Sequence, residues 1–192
     1  MKPGFIQPPY PRVNAHRGLS SVCPENTLPA FAAAVALGAD EIELDLWASR
    51  DGELVVCHDA ALDRTTDGHG PISAWDWADI CRLDAGRWFG AEWSGVPPCR
   101  FDDVLDLCGG RVVLNIHIKE PGQDGTVVRQ TRDRLLACGL ADSACIRALP
   151  SFKGDAVIRK QRGTPGGHLH YGRMNPFNRG GNLVTMGPGN SL

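Results

Sequence analysis

The 192-residue sequence predicts an α/β fold of parallel strands and intervening helices curved toward a barrel, on three observations. Two segments, EIELDLWAS at 41–49 and VVLNIHIK at 112–119, alternate aliphatic and polar residues with the period of a strand. Helical patterns separate the predicted strands, which argues for parallel βα units rather than hairpins. The alternate face of both segments carries charged and imidazole side chains, as a barrel does where its strand ends gather a ligand. A half-exposed antiparallel sheet would alternate in the same way, and at this point it stays open.

The length suits one domain with a substantial core. Hydrophobic residues at 42%, charged residues at 22% and a formal charge of -2 give no general reason to expect nucleic acid. Seven cysteines include no C-x-x-C pair, and they read as small apolar residues in a reducing compartment. The N-terminal MKPGFIQPPYPR lacks the apolar run of a signal peptide, and nowhere do about 18 apolar residues run together. A cytoplasmic chain without a transmembrane segment is therefore expected.

Residues 12–18 (RVNAHRG) read as a short strand ending in a turn. Pro24-Glu25-Asn26-Thr27 then opens a helix, with Asn26 or Thr27 placed to cap it, and LPAFAAAVALG ends at Gly38 as a C-terminal stop. The second strand, EIELDLWAS, puts Ile42, Leu44 and Leu46 on one face and Glu41, Glu43, Asp45 and Trp47 on the other. Asp51-Gly52 supplies a tight turn, so ELVVCHD is expected to return beside the end of that strand. Residues 60–110 are rich in Trp, Gly, Asp and Pro and read as an insertion with two helical patches, SAWDWADICRL and FDDVLDLCGG. VVLNIHIK follows as a strand with Asn115, His117 and Lys119 on its polar face; TVVRQTRDRLLACG reads as an amphipathic helix and SACIRAL as a further strand. From Lys153 onward six basic residues stand against Asp155 alone in a glycine-rich stretch, expected to be a poorly ordered basic tail rather than a nucleic-acid patch.

Four polar pairs fall at different predicted strand ends: His16-Arg17, Glu43-x-Asp45, His58-Asp59 and His117-x-Lys119. Singly, each has an ordinary structural reading. Together they suit phosphodiester cleavage. Two carboxylates at i and i+2 point the same way and favour a hard divalent cation, two histidines can exchange protons near neutral pH, and Arg17 with Lys119 can neutralise an anion.

The runs AHRG, PENT with LPAF, GADEIELDLWASRDGELVVCHDAALDRTTDGHG and LDAGRWFG resemble the glycerophosphodiester phosphodiesterase family over roughly residues 12–121, more faintly to Phe152. The resemblance implies a TIM-barrel-like (β/α) fold with a small insertion after the second strand, about residues 51–100, within a partial domain spanning 1–152. It implies metal-dependent hydrolysis of glycerophosphodiesters to an alcohol and glycerol 3-phosphate, with the substrate's own hydroxyl attacking phosphorus first to give a cyclic phosphate. By the same resemblance His16 and His58 are the acid/base pair, and Arg17 and Lys119 bind phosphate. Glu25 and Asn26 shape the substrate loop, and Glu43 and Asp45 are metal ligands.

Two departures qualify this. Where the family motif resembles N-I-E-I-K, this chain has Asn115-Ile116-His117-Ile118-Lys119, so His117 takes the third metal-ligand position. That shifts the expected cofactor from Mg²⁺ or Ca²⁺ toward Mn²⁺ or Zn²⁺. About four barrel strands are found where a full barrel has eight, so the expectation is the N-terminal half of a barrel, by truncation or frame shift rather than by divergence of a complete fold after about residue 152, with an unclosed edge open to self-association. A phospholipase D- or C-like phosphodiesterase and a non-catalytic phosphate- or metal-binding remnant are the competing readings.

Overall fold

The computed structural model describes residues 8–148. The basic tail expected at 153–192 lies outside the described residues.

Strand β1 (Asn14–His16) leads through the turn after His16 into helix α1 (Leu28–Ala36). Thr27 is the N-cap residue, as its place before LPAF suggests, but its hydroxyl donates to Pro24 O at 2.6 Å and so braces the approach to the helix rather than its first turn. Gly38 ends the helix at φ 77°, a conformation glycine adopts without steric penalty. Strand β2 (Glu41–Ala48) follows and pairs parallel with β1, and β3 (Leu54–Val56) folds back on it antiparallel through the expected Asp51-Gly52 turn.

Helix α2 (Trp77–Ile80) is a single turn within the tryptophan-rich stretch, where Val55, Cys57, Leu62, Ile72 and Ile80 form a small separate core walled by Trp47, Trp75 and Trp77. Helix α3 (Phe101–Cys108) behaves differently. Its Phe101, Val104, Leu105 and Cys108 are buried in the main core, and it packs on α1. FDDVLDLCGG is thus the crossover helix between two barrel strands, not part of the insertion that its neighbours' composition suggested. Asp103 starts it by accepting from the Arg100 amide at 3.0 Å.

Strand β4 (Val113–Ile118), helix α4 (Thr126–Ala137) and strand β5 (Ala144–Ala148) complete the described fold. The parallel strands run in the order β1-β2-β4-β5, with β3 off the path, so successive βα units add strands in one direction as in a barrel wall. This arrangement replaces the half-exposed antiparallel alternative. Ile42, Leu44 and Leu46 of β2 and Leu114, Ile116 and Ile118 of β4 are fully or almost fully buried against the helices together with Phe31, Phe101 and Val104.

The opposite face is also mostly buried, yet it is polar. In register across the strands lie His16, Glu43, Asn115 and Cys145, and next to them Asp45, His117 and Arg147. The described cysteines are all free thiols, and burial pushes the Cys99 and Cys108 thiols up, Cys108 to about 12. No helix among the described residues is long and apolar enough to cross a membrane.

Candidate functional site

The site is built on the turn between β1 and α1. Arg17 and Asn26 adopt left-handed backbone conformations at φ 57° and 55°, each costing on the order of 1 kcal/mol for a residue with a side chain. Hydrogen bonds offset this: the Asn26 amide donates to Arg17 O at 3.0 Å, and the Arg17 amide donates to Glu43 Oε2 at 3.1 Å. Gly18 is required between them. At φ 79° it approaches α1 so closely that a Cβ would stand 2.7 Å from the backbone carbon of Ala30. The sequence His16-Arg17-Gly18 therefore folds as one tight turn that lays the Arg17 side chain over the strand face.

Glu43, Asp45 and His117 converge on that face, with one potential ligand atom from each lying within 4.8 Å of the others. Asp45 has no exposed surface, and its Oδ2 accepts from Asn26 Nδ2 at 3.1 Å while its Oδ1 lies 2.9 Å from Lys119 Nζ. Arg17 Nε stands 3.5 Å from the same carboxylate. Glu43 Oε1 is 2.9 Å from His117 Nδ1, and Glu43 Oε2 is 3.9 Å from His16 Nε2. Burial works to raise the Glu43 carboxyl, but His117, His16 and the Arg17 amide outweigh it and hold the group below its ordinary range. His117 Nε2 is buried with no hydrogen-bond partner among the described residues, which leaves a free lone-pair position at the centre of the cluster. The donor set of two carboxylates and an imidazole fits a divalent cation.

Glu41, the third carboxylate on this face of β2, lies one step further back and is paired with Arg12 at 2.6 Å. It braces the barrel floor rather than joining the cluster.

The hairpin explains how His58 reaches the site. Because β3 runs back along β2, the Cys57 amide donates to Asp45 O at 3.1 Å, and the next residue stands level with the cluster. Trp47 Nε1 holds the His58 carbonyl at 3.2 Å. His58 itself makes no hydrogen bond or ion pair with the three converging groups; it is joined to them through Asp59, Arg64, Glu25 and Arg17. Glu25 is occupied by two guanidinium groups, Arg17 at 3.0 Å and Arg64 at 2.6 Å. Burial would raise its carboxyl, and the hydrogen bonds and charges of those arginines bring it below the ordinary range instead.

The expected site residues thus fall into one connected assembly. Glu43, Asp45, His117, Lys119, Arg17 and Asn26 meet directly, His16 borders Glu43 with its side chain 65% exposed, and Glu25 and His58 are tied in through arginine. Sequence reasoning passed over Arg64 and Arg147. Arg64 sits in the quoted run LDRTT, but its role needs a contact 39 residues away in sequence. Arg147 lies in register with His117 on β5, on the polar face, and makes no ion pair with any described residue. The alternation of Ala144, Ile146 and Ala148 about it was the available signal.

Comparison with known proteins places these features. Residues 16–157 match the model of the glycerophosphoryl diester phosphodiesterase family. A glycerophosphodiester phosphodiesterase of Caldanaerobacter subterraneus is 40% identical over 127 residues, covering 63% of this chain and 52% of that protein. One from Bacillus subtilis is 40% identical over 115 residues, covering 56% of this chain and 39% of that protein. Among solved structures, a glycerophosphodiester phosphodiesterase from Agrobacterium tumefaciens superposes with a TM-score of 0.68 at 34% identity, over 73% of this chain and 58% of its own. An Oleispira antarctica phosphodiesterase in complex with the product sn-glycerol-3-phosphate gives 0.67 at 31% identity, over 72% of this chain and 57% of its own. The chain spans about half the length of the curated relatives it matches. With the family model covering most of the chain and the fold and motifs in agreement, the chain belongs to the glycerophosphoryl diester phosphodiesterase family.

Proposed function

We propose that this chain carries the phosphate- and metal-binding half of an enzyme that hydrolyses glycerophosphodiesters to an alcohol and sn-glycerol 3-phosphate. The observation that carries the reading is the convergence of Glu43, Asp45 and His117 beside Lys119 and Arg17. Glu43, Asp45 and His117 would hold a divalent cation, which when bound supplies Lewis-acid polarisation of a phosphoryl oxygen. The chain's own residues do the rest.

Arg17 and Lys119 are held over the cluster by Asp45, which fixes two cations where a phosphodiester anion would lie. Arg147 extends the same positive rim onto β5. His16 and His58 stand at the ends of different strands, so one imidazole can take the proton of the attacking hydroxyl while the other gives a proton to the departing alkoxide. If the substrate's own glycerol hydroxyl attacks, as the family resemblance implies, a cyclic phosphate forms and water opens it with the proton roles reversed.

The test is release of glycerol 3-phosphate from glycerophosphocholine. EDTA and His16→Ala are each expected to abolish it, and turnover surviving both would overturn the mechanism. His117, an imidazole where the family motif has a carboxylate, favours a second reading as a binding module without turnover. Calorimetry showing metal or phosphate binding, with no hydrolysis under Mg²⁺, Ca²⁺, Mn²⁺ or Zn²⁺, would select that reading.

A further inference from the structure

We propose that Asp59 and Arg64 are positioning residues: Asp59 fixes His58 in the tautomer with its proton on Nδ1, and Arg64 locks the His58 loop to the loop that orients Arg17. This rests on the reading of His58 as a proton-transfer group, and it assigns the nitrogen that does the work.

His58 Nδ1 lies 2.6 Å from Asp59 Oδ1, a distance that requires the proton to sit between them. An ionised carboxylate only accepts, so Nδ1 is the donor and, in the neutral imidazole, Nε2 keeps its lone pair. Among the described residues Nε2 has no hydrogen-bond partner, which leaves it free to take or give a proton. The carboxylate also stabilises the imidazolium formed when Nε2 accepts a proton.

Arg64 keeps Asp59 in that role. Its Nε donates to Asp59 Oδ2 at 2.5 Å, while its two terminal nitrogens grip Glu25 at 2.6 and 3.1 Å. Glu25 in turn accepts from Arg17 at 3.0 Å. One guanidinium thus spans the loop after β3 and the loop before α1, and the planar fork of arginine meets both carboxylates at once. Trp88 lies beside the Arg64 guanidinium, its ring centroid 5.9 Å away, so the clamp is backed by the aromatic stretch as well. The tryptophan-rich stretch therefore contributes to the ordering of His58 through Trp88 without supplying a reacting group.

Lysine at position 64 would keep the charge but lose the fork. Asparagine at position 59 can turn its amide N–H toward Nδ1 and drive the proton to Nε2, which removes the lone pair the reaction needs.

The test uses the full chain, ¹⁵N-labelled, with long-range proton–nitrogen spectra of the imidazoles at about pH 8, above the ordinary imidazole range. His58 signals are assigned by their loss in His58→Gln. The expected result is a protonated Nδ1 and a lone-pair Nε2 in the wild type, the opposite tautomer in Asp59→Asn, and a mixture in Arg64→Met that Arg64→Lys restores only in part. A wild-type His58 with its proton on Nε2, or an unchanged tautomer in Asp59→Asn, would overturn the proposal. The spectra give this answer whether or not the chain turns over a phosphodiester, so failure of the activity reading is separable. Where turnover is measured, Asp59→Asn is expected to lower kcat by about 10²-fold with KM little changed; an effect confined to KM would also overturn it.

Discussion

His117 Nδ1 lies 2.9 Å from Glu43 Oε1, so the imidazole that takes the place of a family carboxylate is tied to the carboxylate of the neighbouring strand. The pairing keeps the cluster compact with one fewer negative charge. His117→Glu would bring a third carboxylate to the same centre. Calorimetry of that variant is expected to show Mg²⁺ and Ca²⁺ binding strengthened by about tenfold and Zn²⁺ binding weakened relative to them. In EDTA the variant should unfold at a lower temperature than the wild type, because the added charge repels Glu43 and Asp45.

Acid should weaken the clamp around His58 in a defined window. The Arg64 hydrogen bond, with His58 behind it, holds the Asp59 carboxyl down at about 2. An unfolded aspartate titrates near about 4, so the folded form binds fewer protons between these values. The stabilisation is complete above about pH 4 and is lost as pH falls toward about 2. Glu25 and Glu43, also lowered, act in the same direction. Thermal unfolding temperature followed from about pH 5 down to about pH 2 should fall less steeply for Arg64→Met than for the wild type.

Gly18→Ala tests the turn that presents Arg17. The new Cβ would meet the backbone and side chain of Ala30 at 2.7 Å, and the residue would remain at φ 79°. Destabilisation by about 1–3 kcal/mol in urea unfolding is expected, with any phosphodiesterase activity lost more severely than stability.

Arg147→Met tests whether β5 contributes to the anion site. Because Arg147 has no ion-pair partner among the described residues, its removal should leave the unfolding midpoint within about 0.5 kcal/mol of the wild type. Phosphate or substrate affinity should fall by about tenfold at low salt, and less at high salt.

Phe101→Ala separates the main core from the small one. Phe101 is fully buried among the residues that join α3 to the strands. Its truncation should cost about 3–5 kcal/mol and lower the single cooperative transition. If α3 belonged to an independent insertion, tryptophan fluorescence and far-UV circular dichroism would report separate transitions.

Much of this was readable in the chain. The period-two alternation of 41–48 and 113–118 set which face of β2 and β4 meets the helices, because a strand's side chains alternate regardless of context. Asp51-Gly52 marked the hairpin, and the spaced motifs from His16 to Lys119 marked the residues that the fold brings together in the candidate site. What misled was composition: FDDVLDLCGG sits among glycine, aspartate and proline, yet its Phe101, Val104, Leu105 and Cys108 spacing makes a buried helical stripe.

The sequence by itself determined the strand faces, the turn glycines and the residue types of the site, since these depend on local periodicity and backbone sterics. Only the tertiary structure decided that His58 joins the cluster through Arg64, that Glu25 is held between two guanidinium groups, and that Arg147 shares a face with His117. Those relationships are set by parallel strand pairing and by the meeting of Arg64 with Glu25, 39 residues away in the chain. No local pattern encodes such a distance; it appears when the strands take their register and the hairpin returns beside β2.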